Sequence, residues 1–194
     1  MIEIRPGSAA DAAAIAQVRR ESWHAAYSAI IAPSIIDRAT AIGGSAANPP
    51  SYRRTLVAVA GEQPAIIGYA SFGPERTVAS AQPAPSAPPG GQPKAAEPAA
   101  DGHLTPAGRA GDVGELYALY LLPAWWSAGV GQALMTSVLD SLRGDRYRRV
   151  VLWVLADNAR ARRFYERAGF TLNGGTNVIT GLGSVLEVRY TRDV

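Results

Sequence analysis

GELYALYLLPAWWSAGVGQALM, residues 114–135, holds a strand, a glycine loop and the start of a helix in immediate succession. Its first half, ELYALYLL (115–122), is rich in aromatic and apolar residues and reads as a strand. Pro123 opens the loop, glycines follow at 129 and 131, and apolar residues then recur at helical spacing to about Leu142. This order builds an anion site. The first backbone N–H groups of a helix lack internal partners and carry partial positive charge, so a loop without bulky side chains can wrap them around a pyrophosphate. Gly129 and Gly131 permit close backbone approach there, and Ser127, Ala128, Val130 and Gln132 supply further amides. The same succession also describes a tight strand-to-helix turn that binds nothing. A dinucleotide fingerprint requires a third glycine where Leu134 stands, and a phosphate loop requires a following Gly-Lys-Ser/Thr; the stretch has neither.

Downstream, VVLWVL (150–155) is an apolar strand, and the segment from Asn158 to about Ala168 reads as a helix closed by Gly169. The tail divides at glycine-rich turns into three strands: FTLNGG (170–175), NVIT (177–180) and VLEVRYT (185–191). Upstream, IEIR (2–5) alternates as a short strand, and Ser8 with Asp11 forms an S-x-x-D start for a helix from about Ala9 to Ser22. WHAAYSAII (23–31) and PSIID (33–37) read as further helical pieces, with Pro33 as a break or a start. TLVAVA (55–60) and AIIGYASF (65–72) make a hairpin.

Between about Ala79 and Ala110 the composition shifts to Pro, Ala, Gly and Ser, with Leu104 the only large apolar residue. Such a stretch cannot bury enough surface to offset its ordering entropy, so we expect a disordered insert at 79–110 within a single domain spanning 1–194. Neither flank has the makings of a separate sheet and core. The alternation of strands and helices predicts an α/β (α+β) fold with a mixed central sheet flanked by helices.

Composition narrows the chemistry. With 194 residues and 47% hydrophobic content the chain can form a sizeable core unaided, and no apolar run approaches the length of a membrane span. The absence of cysteine removes disulfides, cysteine-based zinc sites and thiol nucleophiles, and the two histidines, His24 and His103, support neither a metal centre nor a Ser-His-Asp triad; no metal is expected. A net charge of +3, carried almost wholly by arginine, is too small to argue for nucleic acid and fits a small polyanionic ligand. The opening MIEIRPGS lacks a basic region followed by an apolar one, so the expected location is cytoplasmic, with no membrane partner.

Together, residues 114–135 and the block ADNARARRFYERAGF (156–170) resemble the cofactor-binding core of the GNAT superfamily of N-acetyltransferases. That family shows Q/R-x-x-G-x-G/A after its fourth strand, matched here by Trp126 through Gly131. It then shows an Asn ahead of an Ala-rich helix ending in F-Y-x-x-x-G-F, matched by Asn158, Phe164, Tyr165, Gly169 and Phe170. Residues 2–27 and the EVRYTRD ending are also similar to the family, so the resemblance covers nearly everything except the insert. One departure is Trp126, which stands where the pattern has Gln or Arg and forfeits that side chain's help with the cofactor.

The resemblance implies acetyl-CoA as cosubstrate and a primary amine as acceptor. It implies a sheet that splays at the fourth strand, with main-chain groups of Leu119 and Leu121 pairing with the pantetheine arm. Tyr165 becomes the candidate acid for the leaving thiolate, although its stripe with Ala161, Phe164 and Ala168 also suits a core aromatic. Asn158 is expected to cap its helix and touch the arm. Glu115 is either the base that removes the amine proton or a solvated strand-end carboxylate. Trp23 and Tyr27, i and i+4 on the early helix, either wall the acceptor site or only pack. Arg160, Arg162, Arg163 and Arg167 either meet cofactor phosphates or form an exposed basic face. A non-catalytic acyl-CoA sensor and a partner-binding domain with the insert as its docking arm are the competing readings. The acceptor stays open between a small molecule and a peptide amine, and a homodimer is compatible with either.

Overall fold

The computed structural model describes residues 2–41, 52–61, 64–76 and 112–194. The expected insert at 79–110 lies outside the described residues. The chain starts with strand β1 (Ile2–Pro6), a single 3-10 turn at Ala9–Asp11, helix α1 (Ala12–Tyr27) and helix α2 (Pro33–Ala41). Strands β2 (Arg54–Ala60), β3 (Ala65–Pro74) and β4 (Val113–Leu121) follow. Next come helix α3 (Val130–Gly144), strand β5 (Arg149–Leu155), helix α4 (Ala159–Arg167), and strands β6 (Thr171–Ile179) and β7 (Val185–Asp193). All seven strands form one sheet in the order β1-β2-β3-β4-β5-β7-β6, with β4 and β5 parallel and every other pair antiparallel. This is the mixed α/β architecture expected.

Helices cover both faces, which explains the near-continuous apolar runs of the central strands. On one face Ile15 and Val18 of α1 pack against Val57, Val59 and Tyr69. On the other, α3 buries Val130, Leu134, Met135, Val138, Leu139 and Leu142 against Ala58, Phe72, Leu116 and Leu152. Those α3 positions trace one helical stripe, and Tyr165 of α4 with Ala168 and Phe170 just beyond that helix extend the same core. Among the described residues no helix is long and apolar enough to cross a membrane.

Two elements differ from expectation. The first helix continues to Tyr27, absorbing the start of the second predicted piece, because Trp23 and Tyr27 pack into an apolar cluster with Ile31 and Ile36 and the buried Ser22 hydroxyl donates to the Leu121 carbonyl. The two strands expected at 170–175 and 177–180 are a single strand, β6, whose pairing with β7 slips between Leu172 and Thr176. The glycines there make an irregularity within a strand rather than a turn between two.

The predicted S-x-x-D start is present with an added partner. Asp11 accepts from Ser8 N (2.7 Å) and Ser8 Oγ (3.0 Å), and Arg5 of β1 donates to both its oxygens at 2.9 and 2.8 Å. The Arg5 guanidinium, then the Ser8 amide, hold the Asp11 carboxyl well below the usual carboxylate range. A depressed folded-state pKa contributes stability that is complete above about pH 4 and fades as the pH falls below it. Urea midpoints of wild type and Asp11→Asn should therefore differ at neutral pH and converge in acid; a gap that widens in acid contradicts the pairing.

Candidate functional site

The ladder between β4 and β5 is short. It joins Val113, Gly114, Glu115 and Leu116 to Arg149, Val150, Val151 and Leu152, and there it stops, although β4 runs on to Leu121 and β5 to Leu155. The cause lies in β4 itself. Its register with β3 jumps from Ser71 opposite Ala118 to Phe72 opposite Leu116, so Tyr117 is the extra residue of a bulge that bends the strand. Tyr117 is fixed by donating its hydroxyl to the Pro74 carbonyl at 2.5 Å.

Beyond the bulge the strand alternates. Leu122 donates its N–H to Ile67 O (2.8 Å), so Leu122 and Tyr120 address β3 while the main-chain groups of Leu121 and Leu119 address the opening. The Leu121 carbonyl is taken there by Ser22 Oγ of α1 and by Trp126 Nε1 (3.0 Å). A cleft of about 810 Å3 results, lined by Leu119, Leu121, Gly129, Gly131, Asn158 and Tyr165, with Trp23 and Tyr27 also on its wall.

Gly68 sits opposite Leu121 in β3. A Cβ there would lie 2.1 Å from Leu121 Cδ2 and 2.9 Å from the Tyr120 carbonyl, so the close approach of the two strands requires glycine. Gly68→Ala should destabilise the chain by about 1–3 kcal/mol, as overpacking does, readable in a urea titration; an unchanged midpoint would show that β4 can retreat freely.

The loop end is built around the start of α3. Gly129 is the N-cap residue at φ 81°, a left-handed conformation, and Ser127 also has positive φ at 63°. Ala133 N bonds to Gly129 O, so the amides of Val130, Gly131 and Gln132 are those of the first turn, which have no acceptor within the helix. Ser127, Gly129, Gly131 and Gln132 line the cleft. Gly131 serves packing as well: a Cβ would meet Leu121 Cδ1 and Phe164 Cε2 at 3.4 Å each.

Trp126, read from the sequence as a lost side chain, is occupied. Besides its bond to Leu121, its ring carries the Arg160 guanidinium at 4.3 Å, and Arg160 donates to Ser127 Oγ at 3.3 Å. A cation thus reaches the loop from α4. The α4 arginines divide: Arg160, Arg163 and Arg167 are exposed along the cleft, whereas Arg162 donates to Tyr190 Oη (3.1 Å) and Ala156 O (3.0 Å).

Asn158 caps α4, its Oδ1 accepting from Ala161 N at 3.1 Å. Tyr165 combines both of its readings, since it belongs to the core at 9% exposure and also faces the cleft. Burial, then the neighbouring Tyr120, pushes its phenol above the ordinary value, so it remains an O–H donor. Trp23 and Tyr27 meet edge to face at 5.3 Å, and Trp23 lies 6.3 Å from Tyr120.

Glu115 departs from the solvated reading. It is 1% exposed and receives the backbone N–H of Arg76 (2.7 Å), its Nε (3.0 Å) and its Nη2 (2.5 Å). It does not line the cleft; Arg76 and Glu187 do. Neither was singled out in the sequence. Glu187 lies on β7 opposite Leu155, accepts from Asn177 Nδ2 at 2.8 Å, and has its pKa raised from the ordinary glutamate value by burial. The visible signal was a carboxylate set inside the apolar strand VLEVRY.

Comparisons with known proteins agree with this geometry. The acetyltransferase (GNAT) family matches residues 14–170. A segment of 58 residues is 47% identical to mycothiol acetyltransferase of Beutenbergia cavernae, covering 30% of this chain and 20% of that protein. Another of 60 residues is 45% identical to an N-acetyltransferase of Mycobacterium bovis, covering 31% of this chain and 38% of that one. The chain thus aligns with only about a fifth to two fifths of the length of these relatives. In fold it is similar over 97% of its length, and 98% of the other's, to PaiA N-acetyltransferase from Thermoplasma acidophilum in complex with coenzyme A, with a TM-score of 0.69 at 19% identity. The splayed strand, the loop ahead of α3 and the capped helix α4 fall within the matched residues, and the chain belongs to the acetyltransferase (GNAT) family.

Proposed function

We propose that the chain is an acetyl-CoA-dependent N-acetyltransferase that acylates a primary amine by direct attack in a ternary complex. The free edge of β4 carries this reading: the ladder to β5 ends at Leu116, and the main-chain groups of Leu119 and Leu121 turn to the cleft. Such an edge accepts an extended, amide-bearing chain as an added strand, and the pantetheine arm of coenzyme A is one. The first-turn amides of α3, with Ser127, Ala128 and Gly129, suit the pyrophosphate, and Arg160 adds charge beside them. Asn158 Oδ1 is committed to its cap, so its contact to the arm would come from Nδ2.

When bound, acetyl-CoA supplies an acetyl group already activated for attack by nitrogen. The Leu121 N–H steadies the carbonyl oxygen as charge develops on it. Tyr165 Oη donates to the departing sulfur. Trp23 and Tyr27 shape the wall along which the amine approaches.

The test is a calorimetric titration of acetyl-CoA into wild type and Leu119→Pro. Proline removes the cleft-facing N–H and leaves the β3 ladder, which uses the neighbouring residues, in place. Wild type should bind saturably, and the folded variant roughly tenfold or more weakly, about one lost hydrogen bond. A wild type that does not bind at about millimolar cofactor sinks the reading, since enzyme KM values typically run from about 1 μM to 1 mM.

A further inference from the structure

The acceptor end of the cleft has a simple charge balance. Of its lining residues among those described, Glu187 is the one carboxylate. Arg76 also lines it, but its guanidinium is already matched by Glu115 through two hydrogen bonds, and its backbone N–H gives the carboxylate a third. Burial pulls the Arg76 pKa down and the contacts with Glu115 more than restore it, so the guanidinium stays charged against its partner. The other cations of the cleft, Arg160, Arg163 and Arg167, all belong to α4, so on the β7 side one negative charge is left over. The same cleft is lined by Trp23, Tyr27, Tyr120, Ile31, Ile179 and Leu182, three aromatic rings and three aliphatic side chains, and Tyr120 lies close enough to Glu187 for the two groups to influence each other. The rings are mutually braced, Trp23 against both Tyr27 and Tyr120 and Tyr120 against Tyr69 at 5.7 Å.

A site with one uncompensated carboxylate and apolar walls selects by desolvation. A single ammonium finds its partner in Glu187, and the rest of the molecule replaces water against the rings. A second cationic centre would have to leave water with no counter-charge, and a carboxylate on the ligand would meet Glu187 directly. We infer that the acceptor is a singly charged amine on an apolar or aromatic body, with Glu187 the carboxylate that holds its ammonium and takes its proton; this rests on the acetyltransferase reading above.

The step balances. Glu187 removes one proton from R–NH3+, and the freed lone pair forms the C–N bond at the thioester carbonyl carbon. The C–S pair leaves with sulfur, which takes the Tyr165 proton, and the second nitrogen proton returns to the Tyr165 oxygen. The products are the amide, the thiol and a protonated Glu187, which gives its proton to solvent.

The experiment measures thiol release from acetyl-CoA with phenethylamine, spermidine and glutamate as acceptors, in wild type and Glu187→Gln, with calorimetric acetyl-CoA binding alongside. Glutamine keeps an oxygen for Asn177, so the β6–β7 contact survives the change. Phenethylamine should exceed the other two in kcat/KM by roughly tenfold or more, and Glu187→Gln should lower its value about 10²-fold with acetyl-CoA affinity unchanged. Arg76, Glu115, Tyr120 and Asn177 face Glu187, and burial dominates their combined effect, raising its pKa. The wild-type rate should accordingly fall as the pH drops through a limb above about 4.3, and the variant should lack that limb and recover toward about pH 9, where more amine is neutral. Preference for spermidine or glutamate, no turnover of phenethylamine by a chain that binds acetyl-CoA, or a variant with wild-type kcat/KM and pH profile overturns the inference and leaves the cofactor reading standing. Absence of acetyl-CoA binding overturns both.

Discussion

Tyr165→Phe should lower turnover about 10²-fold while leaving the affinity for acetyl-CoA and the unfolding midpoint close to wild type. The substitution removes one oxygen and keeps the ring that packs with Phe164 at 5.4 Å and Phe170 at 6.2 Å, so the core loses almost nothing. The chemistry loses its donor. Because burial pushes the phenol up, Tyr165 cannot exist as a free phenolate at neutral pH, and it releases a proton only if another arrives in the same step. Nitrogen supplies that proton as the tetrahedral carbon collapses, which makes the tyrosine a relay rather than a simple acid. Steady-state kinetics with a saturating amine, beside calorimetric binding, separate the two quantities. Unchanged turnover would remove Tyr165 from the chemistry and return it to the core, where its helical stripe alone would have put it.

The reach of sequence reading here follows the range of the interactions. Helix α3 was legible because Val130, Leu134, Val138 and Leu142 repeat within one window, and the strand over 150–155 because its residues are buried on both faces. The Asn158 cap was legible for the same reason, its partner Ala161 being three residues away. The acceptor end was not. Its charge balance depends on Arg76 and Glu115, separated by 39 residues, and on Glu187 in a strand whose neighbours β5 and β6 are fixed only by the sheet order. Trp126 shows the limit from the other side. A local pattern records the missing Gln or Arg, yet the ring holds Arg160 from a different helix over the same loop. The glycines of β6 suggested a break because turn chemistry and a strand irregularity use the same residue, and only pairing with β7 tells them apart.

Arg76→Met should destabilise the chain by about 3–5 kcal/mol, the cost of leaving a buried charge without its partner. Glu115 is 1% exposed, and after the change it keeps only the backbone N–H of residue 76. The guanidinium also lies 4.6 Å over the Tyr117 ring, so the same substitution loosens the bulge residue. This joins the ion pair to the cleft. Glu115 is opposite Val151, inside the intact part of the β4–β5 ladder, and Tyr117 stands two residues on, where the strands begin to part. Arg76 therefore clamps the end of β3 to β4 at the hinge of the opening, and its loss should cost stability first and cofactor binding second. The double variant Arg76→Met, Glu115→Gln separates charge from shape, because a neutral amide in place of the carboxylate no longer demands a counter-ion. It should regain a large part of the lost stability in urea titrations. If the double variant is as unstable as the single one, the guanidinium acts through packing on Tyr117 rather than through the charge of Glu115. If Arg76→Met itself moves the midpoint by less than about 1 kcal/mol, the pair contributes no more than an exposed salt bridge and the splay must be held by the bulge alone.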